Sequence, residues 1–89
     1  MSFSIETTIH IWREGDQFIA QAMPVNVLSA GATPDAARSA VAEAVHLFAV
    51  TAQAEGTLEQ VLEEAGYRYQ NGCWLAPEWV AIERQAVAV

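Results

Sequence analysis

At 89 residues the chain has room for one domain, residues 1–89, and at 53% hydrophobic and 17% charged it is too apolar to be disordered. Eleven acidic residues face four arginines and no lysine, and the resulting charge of -7 repels phosphate backbones, which argues against direct nucleic-acid binding. The longest mostly apolar stretch, 36–54, is broken by Arg38, Glu43, His46 and Gln53, the N-terminus lacks a signal-peptide pattern, and the lone Cys73 has no partner for an internal disulfide. The expectation is a cytoplasmic protein with no membrane segment.

From Phe3 to Arg13 the pattern alternates, with Phe3, Ile5, Thr7, Ile9 and Ile11 on one face and Ser4, Glu6, Thr8, His10 and Trp12 on the other. That period of two, rich in β-branched residues, predicts a strand. Arg13-Glu14-Gly15-Asp16 reads as a turn, Gln17–Met23 as a second strand, and Val25–Ala30, after Pro24, as a short third. Thr33 suits a helix N-cap, Pro34 the first helical position and Asp35 the first turn. Ala37, Val41, Ala44, Val45, Phe48 and Ala52 follow at helical spacing, so a long helix is expected over Thr33–Ala54, ended by Gly56.

Thr57-Leu58-Glu59-Gln60 has the form of a capping box, Leu58, Val61, Leu62 and Ala65 make a second apolar stripe, and Gly66 is its stop signal. Asn71-Gly72 between Tyr67–Gln70 and Cys73–Leu75 predicts a type I′ hairpin. After Pro77, Trp79–Val89 reads as a long strand. The order of elements gives an α+β fold with a mainly antiparallel sheet and one long helix packed on it.

No catalytic set emerges. His10 and His46 are the only histidines, with no second histidine at metal-ligand spacing, and the glycines form neither GxGxxG nor a Walker pattern. His46 reads as a surface or rim histidine and Cys73 as a small hydrophobe of a strand. No cofactor is expected, and the chain does not read as an enzyme. Glu55, Glu59, Glu63 and Glu64 lie in a stretch without a basic side chain, with Glu55/Glu59 and Glu59/Glu63 at like-charge helical spacing. They form either a solvated face or, with Glu14 and Asp16, an acidic contact surface for a basic protein.

The run Gly15-Asp16-Gln17-Phe18-Ile19-Ala20, then Met23-Pro24, Ser29–Ala37 and Glu43-Ala44-Val45, resembles the HicB antitoxin family, and 56–67 is similar to an extension of its short members. The resemblance covers about 5–67. It implies a partly degraded RNase H-like fold without nuclease activity and, as partner, a small basic RNA-cleaving toxin whose RNA site the domain covers. Classical members carry a C-terminal DNA-binding domain, whereas the residues after Gly66 here read as strands, so operator binding is not expected of these residues. An orphan oligomeric module of the same fold, with a structural or small-ligand role, stays open as the alternative.

Self-association is expected, as a homodimer or a dimer of dimers. The chain is small for its apolar content, Trp12 lies opposite the apolar face of its strand, and Trp79 opens a C-terminal run. The last residues, Ala86, Val87, Ala88 and Val89, are apolar in both alternating sets, and such a strand needs cover on both sides.

Overall fold

The computed structural model describes residues 3–89 and is α+β: six strands and two helices, with one helix serving two small sheets. Strands β2 (Thr8–Glu14), β3 (Gln17–Met23) and β4 (Val27–Gly31) form an antiparallel sheet in the order β2-β3-β4. Strands β1 (Ser4–Ile5), β5 (Arg68–Gln70) and β6 (Cys73–Leu75) form a second, ordered β1-β6-β5, in which β1 and β6 run parallel. Between them in sequence lie α1 (Pro34–Glu55) and α2 (Leu58–Glu64).

Helix α1 begins as its sequence requires: the Ala36 N–H donates to Thr33 Oγ1 at 3.0 Å and Pro34 opens the first turn. It ends in a Schellman pair, with Gly56 in the left-handed region (φ 74), its N–H donating to Gln53 O and the Thr57 N–H to Ala52 O. The first half of its buried stripe, Ala37, Val41 and Val45, packs on Ala20 and Ala22 of β3, flanked by Ile9, Ile11, Phe18 and Val27. The second half, Ala49 and Ala52, packs with Leu58, Leu62, Tyr67 and Trp74, flanked by Phe3 and Ile5. Val25 touches both clusters.

The expected first strand, Phe3–Arg13, is two strands, divided at Glu6–Thr7. Glu6 explains the division. Its N–H donates to Trp74 O, its carbonyl accepts the Tyr67 hydroxyl at 2.6 Å, and its carboxylate accepts the Ala76 N–H. The chain is thus held against β6 up to Glu6 and released to β3 from Thr8. Phe3, Ile5, Ile9 and Ile11 still all pack inward, toward one cluster or the other.

Other expectations are corrected. The third strand starts at Val27, not Val25, because the turn after the cis Met23–Pro24 peptide runs through Asn26, left-handed at φ 62 and accepting from Gln21 Nε2. The capping box does not form: Thr57 takes helical angles as part of the α1 cap, its hydroxyl donates to Ala52 O, and Gln60 turns outward to Glu64. Glu55 and Glu59 therefore belong to different helices, and only Glu59/Glu63 is a like-charge pair one helical turn apart. The hairpin at Asn71-Gly72 has both central residues at positive φ, 49 and 80, as a type I′ turn demands.

Trp79–Val89 is not a strand; nothing after Leu75 joins a sheet. A strand needs a neighbour's hydrogen bonds, and β6, which the tail follows, already has β1 on one edge and β5 on the other.

Two consequences are measurable. A Cβ on Gly31 would come within 2.5 Å of the Ala37 nitrogen and 2.7 Å of the Ala36 carbonyl carbon, both backbone atoms at the start of α1. Gly31→Ala should lower stability by about 2 kcal/mol or more, read as the denaturant midpoint. Tyr67, buried and bonded to the Glu6 carbonyl, has its pKa pushed from 10.0 up to about 12, first by burial and then by the Glu6 carboxylate. The unfolded chain loses this proton first, so stability is intact below pH 10 and falls between 10 and about 12, by an amount on the order of 2 kcal/mol. In Tyr67→Phe that alkaline loss should disappear from melting curves, while stability at neutral pH drops by about 1 kcal/mol.

Candidate functional site

The acidic residues of the expected contact surface fall into two patches. Glu14 and Asp16 sit at the tip of the β2–β3 hairpin, both exposed, where Asp16 and Gln17 border a shallow depression with Ala30, Gly31 and Ala32 at the entry to α1. Glu55, Glu59, Glu63 and Glu64, also exposed, gather where α1 ends and α2 runs. The 22 residues of α1 separate the patches by roughly 30 Å. One compact partner site does not span both.

Among the described residues the only ion pair joins Arg38 to Asp35 in the first turn of α1. Arg13 donates to the Gly15 carbonyl and lies over the Phe18 ring, 5.9 Å from its centroid. The acidic groups at the α1–α2 end thus carry their charge without a cation in contact.

The tryptophans define a second kind of surface. Register places Trp12, Ile19 and Ala30 in one row across the β2-β3-β4 sheet, and His10, Gln21 and Leu28 in the next row on the same face, away from α1. Trp12 is 38% exposed and Leu28 50% exposed, so this outer face presents open apolar groups among polar ones such as His10 and Gln21. At its β2 edge the Trp79 indole N–H donates to Thr8 Oγ1 at 2.7 Å, and the ring leans toward His10 with centroids 6.2 Å apart. Beneath it, His10 Nε2 is buried without a hydrogen-bond partner. Alternation had put Thr8, His10 and Trp12 on one face; that a residue some seventy positions later docks on two of them has no local signal.

Beyond Trp79 every residue is exposed, Ala86, Val87, Ala88 and Val89 included, and Val80 is 97% exposed. His46 is exposed on α1, and Cys73 is a half-buried free thiol in β6. No group of three or more His, Cys, Asp or Glu side chains is placed to hold a metal among the described residues, and no described helix is long and apolar enough to cross a membrane.

A depression of about 540 Å³ lies between the end of α1 and the second sheet, lined by Phe3, Gln53, Gly56, Leu58, Glu59, Tyr69 and Trp74. The Tyr69 and Trp74 rings meet there at 5.1 Å in a tilted pair. Its walls offer aromatic area and one carboxylate, which suits contact better than acid–base chemistry. The chain matches no family model, no curated protein and no solved structure.

Proposed function

We propose that the chain is a HicB-like antitoxin-type binding domain, with a partly degraded RNase H-like fold and no catalytic activity, that neutralises a small basic RNA-cleaving protein by covering its RNA site. The observation that carries this reading is the uncompensated acidic end formed by Glu55, Glu59, Glu63 and Glu64, exposed and without a contacting cation. A ribonuclease that grips RNA presents arginines and lysines, and an acidic surface of this kind steers toward them and competes with phosphate. The Glu14/Asp16 patch lies too far away to join the same contact and acts only through the long-range field. The α+β build, with a meander crossed by one long helix, is compatible with the proposed fold.

The alternative, an orphan oligomeric module of that fold, draws on the open face around Trp12 and Leu28 and on the aromatic depression at Tyr69 and Trp74. Purification of the native protein, with identification of what accompanies it, separates the two. A small basic protein that cleaves RNA alone, and stops when the chain is added at equal concentration, supports the antitoxin reading. Recovery of the chain only with copies of itself overturns it in favour of the alternative.

Two outcomes are expected. Freed of partners, the chain neither degrades RNA nor shifts duplex DNA in a gel at about 50 mM salt, because its net charge of -7 repels phosphate. Glu59→Gln with Glu63→Gln slows association with the basic partner several-fold at low salt, up to about tenfold, in stopped-flow measurements. Stability in the same variant is unchanged or higher by a few tenths of a kcal/mol, since about one like-charge helical pair disappears. An unchanged association rate would place the contact elsewhere.

A further inference from the structure

We propose that the outer face of the β2-β3-β4 sheet is covered, in a two-fold dimer, by the C-terminal segment Val80–Val89 of a second copy of the chain. The two surfaces are each incomplete in the single molecule. The face exposes Trp12 and Leu28 beside half-buried Ile19. The segment exposes Val80, Ile82, Val87 and Val89 and belongs to no sheet. Both are close to neutral. The segment carries Glu83 and Arg84, which cancel, and within the face the acidic charge is confined to Glu14 at the hairpin tip. The basic partner proposed above would favour the acidic α1–α2 end; an apolar, nearly neutral segment is the complement of this face.

Geometry supplies the rest. Trp79 is fastened to Thr8 and leans on His10, so the segment leaves the body on the very face it would cover in the partner. Ten extended residues reach about 33 Å, longer than the roughly 23 Å of a seven-residue strand, so they can cross to a neighbouring molecule. A two-fold axis that brings the two outer faces together makes the exchange reciprocal and closed, each segment covering the other copy's face. This proposal is independent of the antitoxin reading and uses none of Glu55–Glu64.

The test is sedimentation equilibrium of the full-length chain and two variants whose fold is checked by circular dichroism. One variant spoils the face, Leu28→Glu; the other spoils the segment, Ile82→Asp with Val87→Asp. The expected result is twice the 9.7 kDa chain mass for the wild type. Each folded variant should dimerise at least about tenfold more weakly, and an equimolar mixture should regain dimer, because one intact segment meets one intact face. Added salt should strengthen the dimer, as two chains of charge -7 repel less when screened, whereas the same salt weakens a complex with a basic partner. A wild-type mass of one chain, dimers untouched by either variant, or a mixture no better than its components would each overturn the proposal. Should Leu28→Glu not fold, Leu28→Gln takes its place in the same mixing experiment with the same outcomes.

Discussion

Everything in this molecule hangs on how closely α1 can approach the strands beneath it. Its buried positions are Ala37, Val41, Val45, Ala49 and Ala52, none larger than valine, and the fully buried strand residues of the first cluster are Ala20 and Ala22, with Ile9, Ile11, Phe18 and Val27 packed around them. Small side chains on both surfaces let the backbones come near, and Gly31 completes the approach where β4 turns into the helix. Such contacts bury little area per residue, at about 0.8 kcal/mol per methylene, so the first cluster depends on fit more than on size. The larger apolar groups, Leu58, Leu62, Tyr67 and Trp74, sit under the far end of the helix. One rigid rod thereby couples a tightly fitted half to a bulkier half, and neither sheet has a core without it.

Local chemistry made the helices and turns legible. Thr33-Pro34-Asp35, the stripe from Ala37 to Ala52, Gly56, Gly66 and Asn71-Gly72 each specify a conformation by themselves, and each was found where its residues require. What was not legible rests on partners distant in the chain. No alternation reveals that Glu6 will be bonded by Tyr67 and Ala76 and so divide a strand between two sheets. The parallel pairing of β1 with β6 joins residues nearly seventy positions apart, and with β5 it leaves β6 no free edge for the C-terminal run that follows it. The capping-box reading failed for a related reason: two overlapping motifs competed for Thr57, and the end of α1 claimed it. Among the candidate surface residues, the exposure of the glutamates and of Trp12 followed from pattern; the separation of Glu14 and Asp16 from the rest follows only from the length of α1.

Four of the eleven acidic residues share one end of the molecule. The uncompensated glutamates collect where α1 meets α2, while the outer sheet face and the C-terminal run are apolar and nearly neutral. The proposed dimer and the proposed complex with a basic protein would therefore use different surfaces and respond to salt in opposite directions.

Trp79 marks the point at which the chain stops satisfying itself. Up to that residue each backbone segment has found a neighbour: β1 and β5 flank β6, the Ala76 N–H reaches the Glu6 carboxylate, and the indole N–H reaches Thr8. Past it, Val80, Ile82, Val87 and Val89 alternate through a run whose small residues are apolar as well, so turning the segment over exposes as much as it hides. A segment of this composition gains from burial on either side and from hydrogen bonding along its edges, and its own β6 can provide neither edge. Anchoring its root with a bonded tryptophan fixes where the segment begins and limits the surfaces it can reach. In the proposed dimer, that constraint would favour a face at a defined distance and orientation over nonspecific contact.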